Sequence, residues 1–127
     1  MKFVIHGRLL SLNDLIRDSR THYHKANNAK KKAQKEIMLQ LPKVKVTKYP
    51  VEVWVTFFEP DNCRDCDGIT GGGLKVLMDA LVNKGILIDD SRKYVRQIHP
   101  LVYTDRNNPR IEIEIKEELN NQQHKQL

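Results

Sequence analysis

Two segments of the sequence alternate strictly between apolar and polar residues, and this pattern constrains the fold most strongly. In segment 110–116 the apolar positions are Ile111, Ile113 and Ile115, and they alternate with Glu112, Glu114 and Lys116. In segment 51–58 the positions on one side are Val51, Val53, Val55 and Phe57. Successive side chains of a strand point to opposite faces, so each segment predicts a strand with one buried face. A sheet of such strands needs a second layer to cover its apolar face.

Two helices are predicted between the strands. The first follows Ser11 or Asn13, either of which suits a helix cap, has a possible interruption near residues 19–22, and extends to about Leu41, because Pro42 cannot continue a helix. Its apolar stripe consists of Ala26, Ala29, Ala33, Ile37 and Leu41. The second helix follows Gly71–Gly73 and ends at Gly85, a residue suited to left-handed backbone. Its buried stripe consists of Leu74, Leu77, Met78 and Leu81.

Further strands are predicted at residues 2–6 and 94–104, where Pro100 favours an edge or bent strand. The element order is therefore β-α-β-α-β-β. This order predicts an α+β fold, a two-layer α/β domain in which helices pack on a mixed sheet. We expect residues 1–116 to form a single domain and residues 117–127 to form a flexible C-terminal tail.

The charge of the chain is unevenly distributed around a net value of +6. Between Arg20 and Lys48 nine basic residues accompany one acid, which gives a net charge of +8. Between Glu59 and Asp90 seven acids accompany three basic residues, which gives −4. Basic residues suit phosphates, whereas clustered carboxylates repel phosphates unless a cation lies among them. The two segments together suggest a site for a polyanion and a metal; a solvated helix face and an acidic loop are the alternative.

The apolar segments and the two cysteines limit the class of protein. No apolar run approaches the roughly 20 residues needed to span a bilayer, and Gly7 and Arg8 interrupt the apolar start of the chain. We therefore expect a cytoplasmic protein with no membrane association. Cys63 and Cys66 are too few for a disulfide framework. They suit two reduced thiols in a loop, half a zinc site or a redox pair.

Residues that could carry chemistry begin directly after the second strand. Asp65 and Asp67 are two apart, and extended backbone would point both carboxylates the same way. Two carboxylates that face one point favour a cation between them. Lys75 and Asp79 are four apart on the predicted second helix, so they share a helix face.

Asp89 and Asp90 add two carboxylates where the chain turns back after that helix. Carboxylate oxygens suit Mg²⁺, which is usually held by few carboxylates and keeps several waters. Bound Mg²⁺ can polarise a phosphoryl oxygen and stabilise a leaving oxygen. A neighbouring lysine can neutralise the charge that develops on the phosphate. This combination is suited to phosphodiester hydrolysis.

The stretch Arg64–Asp90 resembles the RusA-type Holliday junction resolvases, particularly their phage- and prophage-associated branch. Members of that family contain R-D-x-D-N, then K-x-x-x-D-x-L on a helix, then x-x-G and D-D. The matching residues here are Arg64-Asp65-Cys66-Asp67, Lys75 through Asp79 and Leu81, Gly85, and Asp89-Asp90. The N-terminal HGRLLSLNDLIRDSR before a lysine-rich helix is also similar to that branch, so the resemblance spans about residues 3–116.

The resemblance implies a Mg²⁺-dependent endodeoxyribonuclease, with Mn²⁺ as an alternative ion. It implies a homodimer that nicks opposite strands of a four-way DNA junction during recombination and repair, in a bacterial or phage-infected cell. By position, the catalytic residues are Asp65, Asp67, Lys75 and Asp90. The metal ligands are Asp65, Asp67 and Asp90, with Asp89 as a further candidate. Asp79 is a supporting residue that could hold Lys75 in place. Our candidates for contact with the DNA backbone are Lys30, Lys31, Lys32 and Lys35.

Two departures from the family pattern stand out. Gly68 replaces the Asn that usually follows the second aspartate. Seven residues separate Asp67 from Lys75, whereas the best-known branch has three. The glycines within this interval, Gly71–Gly73, could present backbone N–H groups to a phosphate at a helix N-terminus. A flexible connection is the alternative, and it is the one that the glycines favour.

Three other functions remain open from the sequence. The first is a phage nuclease for other branched DNA, such as replication forks. The second is a non-catalytic junction-binding protein with the same fold. The third is a zinc or redox protein built on Cys63 and Cys66.

Overall fold

A computed structural model describes residues 1–7, 23–63 and 65–118, without the side chains of residues 23–27, Ala29 and Asp67. The strands are β1 (Lys2–His6), β2 (Val51–Glu59), β3 (Val95–Thr104) and β4 (Arg110–Glu117). The helices are α1 (Tyr23–Gln40), the single turn α2 (Cys66–Gly68) and α3 (Leu74–Asn83), with a π-helical turn, Ile69–Gly73, between α2 and α3. The predicted N-terminal part of the first helix and the predicted tail beyond residue 118 lie outside the described residues.

The four strands form one mixed sheet in the order β1-β4-β2-β3. Strand β4 pairs antiparallel with β1 and with β2, whereas β2 and β3 run parallel. The predicted α+β fold and its element order are confirmed. Because β3 pairs only with β2 in the described sheet, the prediction that Pro100 occupies an edge strand is also confirmed. An edge strand tolerates proline because one of its sides needs no ladder hydrogen bonds.

One hydrophobic core joins the sheet to the helices. The alternating residues of β2 and β4 are buried as predicted, with Val53 and Val55 fully inaccessible. Helix α1 contributes Ala33 and Ile37, and Leu41 follows it. Ala26 and Ala29, also predicted for this stripe, have no described side chains. Helix α3 buries Val76, Leu77, Met78, Ala80 and Leu81, while Leu74 is partly buried.

The second helical segment starts earlier than the sequence predicted. Asp65 is extended, with φ −75° and ψ 148°, but helical backbone begins at Cys66 and continues through Gly73 into α3. We expected Asp65 and Asp67 both to lie in extended backbone, and for Asp67 this expectation is wrong. Gly71–Gly73 lie inside this helical segment and not at its N-terminus, so their proposed use as an N-terminal phosphate cradle is also wrong. Burial of Ile69 against the core stabilises helix where glycine content suggests a loop.

The end of α3 follows the prediction closely. Gly85 has φ +85°, a left-handed conformation that ends the helix at little steric cost. The N–H groups of Ile86 and Leu87 donate to the carbonyl of Leu81, at 3.0 and 3.3 Å. Both side chains are buried. This packing turns the chain back and places Asp89 and Asp90 next to the helix that carries Lys75.

A compact ion-pair cluster centred on Arg110 lies at the start of β4. Its guanidinium donates to Asp105 at 2.8 Å, to Glu112 at 2.7 Å and to the carbonyl of Asn108 at 2.9 Å. It also stacks 3.8 Å from the centre of the Phe58 ring. This set of contacts fastens the β3–β4 connection to the sheet.

Candidate active site

Lys75 lies between carboxylates from two separate segments of the chain. Its ammonium is 3.3 Å from Asp79 Oδ1, one helical turn further along α3. It is also 3.5 Å from Asp90 Oδ2, beyond the left-handed turn at Gly85. The Lys75 side chain nevertheless remains 62% exposed. The structure thus brings together three of the predicted site residues around an accessible cation.

Asp79 joins the site to helix α1. Its Oδ1 faces Lys75, while its Oδ2 lies 3.3 Å from the ammonium of Lys30. The Asp79 side chain is 23% exposed, so it is the least accessible member of this network. Lys30, which the sequence suggested as a DNA contact, is therefore already paired with a carboxylate of the protein itself. We call Lys30, Lys75, Asp79 and Asp90 the lysine–aspartate network.

The network raises the pKa of Lys75 above its ordinary value of 10.5. The hydrogen bond from Lys75 to Asp79 is the largest cause, and the charges of Asp79 and Asp90 add to it. A lysine in this environment is fully protonated at neutral pH. Lys75 is accordingly suited to act as a fixed positive charge and not as a base.

The turn that carries Asp89 and Asp90 is held from two sides. Asp89 Oδ1 accepts a hydrogen bond from the backbone N–H of Asp90 at 2.9 Å. The N–H of Ile88 donates to the hydroxyl of Tyr49 at 3.1 Å. Asp89 is exposed, and the Asp90 side chain is 35% exposed. Sequence reasoning missed Tyr49, because a contact between residues 39 positions apart leaves no local pattern.

The remaining candidate ligands lie at the start of the helical segment. Asp65 is exposed and makes no capping hydrogen bond to the helix. Asp67 lies in α2, but its side chain lies outside the described part of the structure, as does Arg64. Among the side chains that are described, no three His, Cys, Asp or Glu residues form a group that could hold a metal ion.

The remaining lysines of α1 and the two cysteines lie outside the lysine–aspartate network. Lys31, Lys32 and Lys35 are exposed on α1. Cys63 and Cys66 are both exposed, and no disulfide links them. None of the helices in the described part of the chain combines the length and the apolarity needed to cross a bilayer.

Comparison with known proteins adds no family assignment. The chain matches no protein-family model, and no curated protein matches it.

Proposed function

We propose that this protein is a Mg²⁺-dependent endodeoxyribonuclease that resolves four-way DNA junctions by paired nicks, acting as a homodimer in the cytoplasm. The observation that carries the proposal is the exposed ammonium of Lys75 between Asp79 and Asp90. The sequence motif from Arg64 to Asp90 supports it, because its spacings agree at several positions with those of the RusA-type resolvases.

The carboxylates suit a hard divalent cation. Asp65 and Asp90 each carry a carboxylate that is accessible to solvent, and the resemblance to the resolvases would make these two residues and Asp67 the metal ligands. Mg²⁺ typically takes one or two protein carboxylates and completes its coordination with waters and substrate phosphate oxygens. When bound, the ion would supply positive charge at the scissile phosphate. Mn²⁺ has the same preference for oxygen ligands and could replace it.

Lys75 supplies the second positive charge. As the attacking oxygen approaches, negative charge increases on the phosphate oxygens, and a preorganised ammonium stabilises that charge. Asp79 orients the ammonium without covering it, because Lys75 remains largely exposed. We therefore assign Lys75 as a catalytic residue and Asp79 as a positioning residue.

A two-fold dimer gives the paired cuts a simple origin. Two equivalent protomers present two equivalent sites, and a four-way junction presents equivalent strands to them. On each protomer, the exposed Lys31, Lys32 and Lys35 of α1 could contact the DNA backbone.

The test is incubation of the protein with a synthetic four-way junction, with and without Mg²⁺, followed by mapping of nicks on all four strands. We expect symmetric nicks on two opposite strands only when Mg²⁺ is present. Asp67→Asn should remove this cleavage, whereas Glu117→Gln, an exposed acid at the end of β4, should retain it.

Other results would point to the other functions. Equal cleavage of forks or linear duplex would contradict junction selectivity. Junction binding without products in Mg²⁺ or Mn²⁺ would identify a non-catalytic binding protein. Wild-type cleavage rates in Asp67→Asn would refute the site assignment.

A further inference from the structure

A lysine-rich connection links α1 to β2 and lies against the turn that carries Asp89 and Asp90. We call residues 41–50 the basic strap. The N–H of Val46 donates to the carbonyl of Ile86 at 2.9 Å, and the Val46 side chain is buried. Near the other end of the strap, the Tyr49 hydroxyl accepts a hydrogen bond from the N–H of Ile88. The strap is therefore fixed to the chain within two residues of Asp90.

The strap exposes positive charge without any acidic residue of its own. Lys43, Lys45 and Lys48 are all exposed, and residues 41–50 contain no Asp or Glu. None of the three lysines forms an ion pair with another described residue. Lys45 and Lys48 border a cleft of about 180 Å³, and among the described residues that line it Glu117 alone carries a carboxylate.

A second basic segment adjoins the strap. Arg92 and Lys93 are exposed in the turn before β3. The ring of the next residue, Tyr94, packs edge-on against Tyr49 with centroids 5.3 Å apart. The carbonyl of Tyr94 also accepts a hydrogen bond from Val51, the residue that follows the strap. These contacts join the two basic segments, which together carry five basic residues, and fasten both to the stretch of chain on either side of Asp89 and Asp90.

We propose that the basic strap, together with Arg92 and Lys93, binds the phosphate backbone of a duplex DNA arm beside the candidate active site. This proposal rests on the proposed function and names a DNA-binding surface that is separate from the lysines of α1. Lysines without paired carboxylates favour a polyanion over a protein partner of mixed charge. Contacts from lysine to phosphate would position the duplex without reading its sequence.

The test compares two variants that each lose three positive charges. The strap variant is Lys43→Gln/Lys45→Gln/Lys48→Gln. The control is Lys2→Gln/Arg106→Gln/Lys116→Gln, which changes exposed residues on β1, β4 and the β3–β4 connection. Binding of each protein to a fluorescent four-way junction and to linear duplex is measured by anisotropy in EDTA, over a series of salt concentrations. Circular dichroism checks that both variants melt like the wild type.

We expect the strap variant to bind DNA about tenfold more weakly near 0.1 M salt, and the control to bind within twofold of the wild type. The slope of log K against log salt should become shallower by up to about 2.7 in the strap variant, since each phosphate contact contributes about 0.9. Equal affinity and equal slope in the two variants would overturn the proposal. Weaker binding of the strap variant to an acidic protein such as casein, with unchanged DNA binding, would overturn it in favour of a protein partner.

The design separates this proposal from the nuclease assignment. Loss of DNA binding in the strap variant supports the proposal that the strap binds DNA, whether or not the wild type nicks DNA. If the wild type binds DNA but produces no nicks with Mg²⁺, only the nuclease assignment fails. If the strap variant cleaves and binds DNA like the wild type, the nuclease assignment is supported and the proposed role of the strap in DNA binding is refuted. If the wild type binds neither the four-way junction nor the linear duplex, both the nuclease assignment and the proposed role of the strap are refuted.

Discussion

Two clusters in this protein each place one cation between two carboxylates, yet their geometries suit different roles. The Arg110 side chain is 18% exposed and holds its two carboxylates at 2.7 and 2.8 Å. The Lys75 side chain is 62% exposed and lies 3.3 and 3.5 Å from its carboxylates. Arg110 also stacks on Phe58, whereas Lys75 contacts no aromatic ring among the described residues.

The comparison shows that the count of charges does not determine what a cluster does. The planar guanidinium of Arg110 directs several N–H donors to fixed partners, so its bonding capacity is committed to the fold. The ammonium of Lys75 is a compact charge on a flexible stem, and longer contacts leave it able to reorient. An incoming phosphate could therefore engage Lys75 but would find Arg110 already satisfied.

Substitution of Lys75 is the most direct test of the difference between a catalytic Lys75 and a structural Arg110. Lys75→Gln should lower the rate of junction nicking by about 100-fold or more, because a preorganised charge at the reacting phosphate is lost. The melting temperature should change little, because the side chain is mostly exposed. Single-turnover cleavage and thermal melting measure the two effects. Nicking that persists within threefold of the wild-type rate would remove Lys75 from the catalytic residues.

Asp79 tests whether the lysine–aspartate network positions Lys75. Asp79→Asn should lower kcat about tenfold with little change in KM, because Asp79 is proposed to orient Lys75 and not to contact the DNA itself. The variant should also lose the main cause of the raised pKa of Lys75. The carboxylates favour protonated Lys75, so their stabilising effect is present below pH 10.5 and is lost as pH rises through the raised pKa.

The alkaline decline in activity should therefore begin at a lower pH in Asp79→Asn than in the wild type. A pH–rate profile between pH 8 and the alkaline limit measures this shift, and Asp79→Glu, which retains the charge, is the control. Identical profiles for all three proteins would contradict the positioning role.

Substitution of Arg110 should give the opposite result to substitution of Lys75. Arg110→Gln removes hydrogen bonds to Asp105, Glu112 and Asn108, so the melting temperature should fall by a few degrees. Nicking measured well below that temperature should stay within about twofold of the wild-type rate. A large loss of activity in a stably folded variant would mean that Arg110 is also functional.

The smallest expected effect is the pH dependence contributed by Asp105. The hydrogen bond from Arg110 is the main cause that lowers the pKa of Asp105 below 3.8. A lowered pKa stabilises the fold above pH 3.8, and this contribution is lost as pH falls through the folded-state pKa. Asp105→Asn should therefore slightly lower the free energy of unfolding at pH 7. Between pH 7 and 3 this free energy should fall less in the variant than in the wild type, as measured by denaturant unfolding. A constant difference from the wild type across that range would contradict the linkage.

The strands could be predicted from the sequence because alternation records directly which face of a strand is buried. The Ile111, Ile113 and Ile115 pattern and the left-handed Gly85 needed no knowledge of distant residues. The start of the second helical segment was harder. Glycines at 71–73 favour a loop locally, and only packing of Ile69 against the core reverses that preference.

The candidate site divides in the same way. Lys75 and Asp79 could be paired in advance because helix geometry brings together residues four apart. The ion pair between Lys30 and Asp79 could not, because it depends on how two helices pack across 49 positions of sequence. The hydrogen bond from Ile88 to Tyr49 is also set by tertiary packing. Long-range contacts of this kind leave no periodic pattern in the residues that form them.

The unbroken helical backbone from Cys66 to Asn83 restricts how this part of the chain can vary in length. Each residue of an α-helix turns the chain by about 100°, and each residue of the wider π-helical turn Ile69–Gly73 by somewhat less, so adding or removing one glycine would rotate Asp65 around the helix axis relative to Lys75. Four residues make slightly more than one revolution and nearly restore the original azimuth. The interval of three residues in the best-known RusA-type resolvases is four residues shorter than the interval of seven between Asp67 and Lys75, so it would lie near the same angular phase if it were helical too.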